Sequence, residues 1–263
     1  RTKKTPHRTT RLDACMTEHP SLNALLDAAR RAYEAGDLEA AVQGFHSAIS
    51  AAQAQGNAHL TAVALTNLGA ALAGAGNLPG AQQALEQAAE AQRAMGDLDG
   101  ECRAFISLAR VFERMQRHDL AHQTWQAALD LARRMLNGEL AALATDGLAQ
   151  ALRKLGKQAE ARVLLEKLLA YQEKQRDQKE QIEVHISLAG LELDAGETRP
   201  AEIHAQRALM LARQLGDRDS EAYCLYKLGR LYHQTGFNLE AQNMLRQAIA
   251  LYRQSSERAR LGL

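Results

Sequence analysis

The chain has 263 residues, 46% of them hydrophobic but only 4% aromatic, and a formal net charge of +1. A core of that composition is built from Ala and Leu, and four prolines leave room for long helices. The charge balance excludes a general pull toward nucleic acid or anionic lipid, and no apolar run reaches the ~18 residues of a membrane span.

The first stretch, "RTKKTPHRTTR", is basic and lacks apolar periodicity. It cannot bury enough surface to offset ordering entropy, so residues 1–20 are expected to be a flexible tail. Met16 opens "MTEHPSLNALL". Two readings stand side by side. Either Met16 is the natural start and the residues before it are foreign or misread upstream sequence, or they form a basic arm that binds phosphate. Cys15, Cys102 and Cys224 fit no metal spacing and leave an odd thiol, which places the chain in a reducing cytoplasm. No signal peptide is visible. The Arg and Ala bias is that of a GC-rich bacterial gene.

From Ser21 onward the chain repeats itself. "GDLEAAVQGFHSAI" at Gly36–Ile49 returns as "GFNLEAQNMLRQAI" at Gly236–Ile249. Between them, glycine recurs at Gly76, Gly156 and Gly196, with Gln116 in the remaining slot. Five residues after each slot stands Ala41, Ala81, Ala121, Ala161, Ala201 or Ala241, a constant step of forty residues. Such a period marks a repeat array. After each glycine, residues such as Leu38, Ala41, Val42, Phe45, Ala48 and Ile49 form a helical stripe; before it runs a second stripe, such as Leu65, Leu68, Gly69 and Leu72. Glycine suits a left-handed helix stop because it has no Cβ. Each unit therefore reads as helix, tight turn, helix. At Gln116 the missing glycine predicts a bend or a longer turn.

Small residues at Ala29, Gly69, Ala109, Ala149, Ala189 and Gly229 let the paired helices approach, and Phe45, Leu85, Trp125, Leu165 and Leu245 fill the space beside the crossing. The fold class is all-α: a right-handed α-solenoid of six hairpins, about twelve antiparallel helices, over residues 21–255, with a C-terminal tail at 256–263.

The pattern in "LTNLGAALAGAGNLPGAQQALEQA" and "LYKLGRLYHQTGFNLEAQNMLRQAI" resembles the tetratricopeptide repeat family. The family's usual repeat is about 34 residues. This longer form, whose second helix ends in "MGD" or "LGDR", is similar to the arrays of MalT-type regulators, Rap/PlcR-type peptide sensors and LGN-type adaptors. The resemblance implies that a protein or peptide partner lies on the concave surface lined by the first helix of each unit.

Asn67, in "TNLG", matches the place where peptide-binding members of that family pair an Asn with a peptide bond. The equivalent positions hold Asp27, Ser107, Gly147, Ser187 and Lys227, so no array of amides exists, and a solvated helix residue is the alternative reading. Arg103, Arg110 and Arg114 share one helical face. Gln150 stands on the next unit's inner helix, and Arg153, Lys154, Lys227 and Arg230 are placed to continue a basic surface suited to an acidic segment. Glu113, Asp146 and Asp194 are placed to neutralise it internally. Tyr223 and Tyr226 fall off the core stripe and read as partner contacts.

His118 and His122 have a spacing that can hold a metal, but they read as capping and surface residues. No phosphate loop, nucleophile elbow or carboxylate pair is present, so no catalytic residue, metal or cofactor is assigned. The last repeat keeps its apolar pattern through Leu239, Met244, Leu251 and Tyr252. A solenoid end needs a polar cap, so this face is expected to be covered, by a second copy in a homodimer or by a domain outside this sequence. The functional expectation is a non-catalytic scaffold, an adaptor or a regulatory module. The alternatives are a small-peptide sensor and a structural oligomer.

Overall fold

The computed structural model of the chain describes residues 21–261. The expected tail at 1–20, with Met16 and Cys15, lies outside them, as do the final two residues. Twelve helices follow one another without a strand among the described residues: α1 (Leu22–Glu34), α2 (Leu38–Ala54), α3 (Ala58–Gly74), α4 (Leu78–Met95), α5 (Leu98–Arg114), α6 (His118–Arg134), α7 (Gly138–Lys154), α8 (Gln158–Gln175), α9 (Gln178–Asp194), α10 (Thr198–Leu215), α11 (Arg218–Gln234) and α12 (Asn238–Leu261). The last of these runs through most of the segment that sequence sets apart as a C-terminal tail.

One turn joins every pair of helices. A residue with positive φ stands at Gly36, Gly56, Gly76, Gly96, Gln116, Leu136, Gly156, Arg176, Gly196, Gly216 and Gly236. The next residue starts the following helix, and Asp37, Asn57, Asn77, Asp97, Asn137, Asp177 and Asp217 do so with a side-chain oxygen that accepts a backbone N–H of the first turn. The backbone closes as a Schellman motif, with Asp37 N donating to Ala32 O at 2.9 Å. The structural period is thus half the sequence period.

Gln116 corrects the expectation of a bend or a longer turn. It adopts φ +58°, and Arg117 N donates to Phe112 O at 2.9 Å, the bond made at the glycine turns. The closing hydrogen bonds and the packed flanking helices hold a residue that would not choose this conformation alone.

Each helix packs on its sequence neighbours. Successive odd-numbered helices also touch one another, whereas no two even-numbered helices do among the described residues. The stack therefore curves with α1, α3, α5, α7, α9 and α11 on its inner side. Three adjoining apolar clusters run along it, and α9 contributes to two of them, Val184 and Leu188 to one and Ile182 and Ile186 to the other. Ala41, Ala81, Ala121, Ala161 and Ala201 are fully buried at the crossings. Trp125 is core, 2% exposed. It lies on the bare backbone of Gly147, where an added Cβ would stand 2.3 Å from the ring.

Candidate binding groove

The inner helices bring Arg153, Lys227 and Arg230 together. They line one cavity of about 110 Å³ between α7, α9 and α11, with Gly190, Asp194 and Gln234. Arg153 reaches across α9 to Asp194, with Nε 3.2 Å from the carboxylate. Gly190 makes the crossing possible, because a Cβ there would stand 2.8 Å from the guanidinium. Neither Lys227 nor Arg230 forms an ion pair among the described residues, although the charge of Lys227 acts on the Glu183 carboxyl. Their charges lie over the rings of their own helix, Lys227 5.0 Å from the Tyr223 centroid and Arg230 5.9 Å from that of Tyr226. Such cation–π contacts orient a cation without neutralising it.

The arginines of α5 do not form the continuous basic face that sequence spacing predicts. Arg103 is held by Asp99 one turn earlier, at 2.6 Å. Arg114 donates to the carbonyl of Ala73 and so caps the end of α3. Arg110 is exposed, and its electrostatic neighbour is Glu113, whose carboxylate accepts from Trp125 Nε1 at 2.8 Å. Gln150 donates to Asp146 at 2.6 Å, and Ser187 of the next inner helix donates to the same carboxylate.

The middle of the groove is acidic. Partial burial, then Asp177 and Asp146, raises the Glu180 carboxyl above the usual range. Partial burial, then Asp146 and Glu180, does the same to Glu183. Each like charge disfavours ionisation of its neighbours. The surface is therefore mixed, with an acidic centre around Asp146 and cations that form no ion pair among the described residues toward Arg110 on one side and Lys227 and Arg230 on the other. Sequence spacing placed the arginines on one helical face, where Arg103 and Arg110 meet acids of the same helix, while packing brings Arg114 to the carbonyl of Ala73.

Asn67 is half-buried. Its Nδ2 is buried in α3 without an acceptor among the described residues, which costs free energy unless something pairs with it. Tyr223 also departs from expectation. It packs against the core of α9–α12, while Tyr226 is 38% exposed.

At the C-terminal end the four residues named from sequence divide. Met244 and Leu251 pack against the core, whereas Leu239 and Tyr252 stay open. Ile249, in the same apolar pattern of the last repeat, is 51% exposed although its repeat equivalents Ile49, Leu129 and Leu209 are at most 9% exposed. In the earlier repeats another helix follows this position, whereas α12 is the last helix among the described residues.

Two family models described as Tetratricopeptide repeat match the chain, one over residues 180–254 and the other over 61–97 and 142–174. The solved structure of apo RapI is similar, with a TM-score of 0.70 at 11% identity over 90% of this chain and 100% of that one. BtubC (BKLC) from P. vanneervenii gives 0.65 at 17% identity, over 90% of this chain and 93% of that one. The Rap conjugation gene regulator of plasmid pLS20, in complex with the Phr* peptide, gives 0.59 at 13% identity, over 90% and 74%. At these identities the likeness is one of fold. No curated protein matches. Nothing in these similarities supports the homodimer, and among the described residues no helix is long and apolar enough to cross a membrane.

Proposed function

We propose that this chain, which belongs to the tetratricopeptide repeat family, is a non-catalytic scaffold that holds a segment of a partner protein or peptide in its concave groove. Acidic residues of that segment meet Lys227 and Arg230, and Arg110 farther along. The observation that carries this reading is the pair Lys227 and Arg230, which line a cavity and form no ion pair of their own among the described residues. A charge-assisted hydrogen bond from a partner carboxylate is stronger than a neutral one. Tyr226 beside them offers a large contact surface at low entropic cost. The acidic centre around Asp146 and Glu183 sets the register, since it repels the same segment if it slides along the groove.

Native capture from cell extract with mass spectrometry names the partner, and fluorescence anisotropy of its labelled segment measures affinity. Lys227→Glu with Arg230→Glu is expected to abolish capture with an unchanged circular dichroism spectrum. Full retention of affinity in that variant would refute the groove assignment.

A second reading is favoured by the solved Rap regulator, whose structure holds the Phr* peptide. In this reading the groove senses a small peptide and the pitch of the stack changes on binding. Small-angle scattering separates the two, because a scaffold keeps its radius of gyration when the segment binds.

A further inference from the structure

Arg93, Arg133 and Arg213 occupy one register of the repeat, near the ends of α4, α6 and α10. Eight residues after each, on the following inner helix, stand Glu101, Ala141 and Glu221. Arg93 Nε donates to Glu101 at 2.7 Å and Arg213 Nε to Glu221 at 2.8 Å. Ala141 offers Arg133 nothing, and Arg133 has no hydrogen bond or ion pair among the described residues. One turn further on, the repeats carry Leu65, Phe105, His185 and Leu225, but α7 carries Thr145. The hydroxyl of Thr145 is turned to its own helix, donating to Ala141 O at 2.6 Å. In the neighbouring repeat the Arg93 guanidinium lies 5.7 Å from the Phe105 ring centroid. Between α6, α7 and α8 both the acid and the filler are lacking together.

A cavity of about 590 Å³ occupies that place. This is within the range of small-molecule sites, about 300–1,000 Å³. Leu129, Leu164 and Leu168 form apolar walls, and Arg133, Lys167 and Tyr171 bring polar groups to it. Lys167, like Arg133, has no carboxylate partner among the described residues. The N-cap Asn137 and first residue Gly138 of α7 also border it, adding the positive end of a helix dipole.

We propose that this cavity binds a small carboxylic acid with an apolar body. The carboxylate takes the position beside Arg133 that Glu101 and Glu221 hold beside Arg93 and Arg213, with Lys167 as the second cation. The aryl or alkyl body fills the volume that Phe105 fills one repeat earlier. The site lies between even-numbered helices, on the opposite side of the stack from the groove, so it stands or falls independently of the groove reading.

Isothermal titration calorimetry with 4-phenylbutyrate and with decanoate tests it, the matched amides serving as neutral controls. At least one acid is expected to bind saturably and about tenfold or more tighter than its amide, the effect of one charge-assisted hydrogen bond. Arg133→Glu, a surface change, is expected to remove that preference. Ala141→Glu and Thr145→Phe restore what the neighbouring repeats carry, and each is expected to abolish binding with the helical circular dichroism retained. No saturable heat from either acid, equal affinity for acid and amide, or undiminished binding by folded Ala141→Glu and Thr145→Phe proteins overturns the proposal. If the two filling variants do not fold, undiminished binding by Arg133→Glu overturns it alone.

Discussion

Replacing Gly147 by Ala sets two effects against each other, and the structure decides the sign. Ala is the better helix former in the interior of α7 by about 1 kcal/mol. Its Cβ, however, would lie 2.3, 2.5 and 2.5 Å from Cε2, Cδ2 and Cζ2 of Trp125, where carbon atoms prefer about 3.5–4.0 Å. The ring has no room to yield. It is 2% exposed, and its Nε1 is held by Glu113 at 2.8 Å. Overpacking of this kind costs about 1–3 kcal/mol, and an overlap above 1 Å on a rigid ring places it at the upper end. The expected net loss is about 1–2 kcal/mol. Urea denaturation followed by far-ultraviolet circular dichroism measures it.

A sign reversal makes the reasoning testable. In a Trp125→Ala background, itself destabilised by about 3–5 kcal/mol, the obstacle is gone and Gly147→Ala should stabilise by about 1 kcal/mol. Gly74→Ala is the second control, because its Cβ meets the flexible tip of Leu38 at 3.2 Å and Tyr33 at an ordinary contact distance of 3.8 Å, and it should be neutral or stabilising. A Gly147→Ala protein as stable as the parent, or one equally destabilised in the Trp125→Ala background, would sink the argument.

Three further outcomes follow from other parts of the stack. Gln116→Gly relieves a non-glycine residue at φ +58° and should raise stability by about 0.5–1 kcal/mol after the larger unfolded-state entropy of Gly, read as a shift of the urea midpoint. Burial raises the Glu192 carboxyl to about 7 against the opposing pull of Arg162, and its Oε2 has no partner. A raised carboxyl gives stability that is fully present below about pH 4.5 and lost as pH climbs through about 7, so Glu192→Gln should gain about 1–2 kcal/mol at pH 8 and nothing at pH 4, measured by thermal melts at both. Burial, then Asp99, pushes the Cys102 thiol up to about 11, and burial, then Glu183, pushes Cys224 up to about 12. In a Cys15→Ser background neither should react with Ellman's reagent at neutral pH until urea is added, and fast labelling of the folded protein would contradict their burial.

The apolar stripes, the forty-residue step and the small residues at the crossings were legible in the sequence because each is a local property. Helix periodicity is read along one element, and a glycine announces a left-handed turn by itself. The same locality explains what escaped. Gln116, Leu136 and Arg176 take the left-handed conformation because the hydrogen bonds of the turn and the packed flanking helices impose it, so their identity carries no signal. Arg103, Arg114 and Arg153 looked alike on one face. Asp99 holds Arg103 from the same helix, an i,i+4 pair already present in the spacing, whereas only the stack assigned Arg114 to the Ala73 carbonyl and Arg153 to Asp194. Only the stack showed that the glutamate eight residues after Arg93 and Arg213 is their ion-pair partner, which Arg133, with Ala141 at that place, does not have. The sequence by itself therefore determined that equal hairpins would stack, since hydrophobic spacing and turn chemistry act within a few residues. Which of the other charges stay free to meet another molecule was decided by the tertiary structure, because partners such as Glu101, Asp194 and the Ala73 carbonyl belong to a different helix from their arginines and are reached only once the helices have packed.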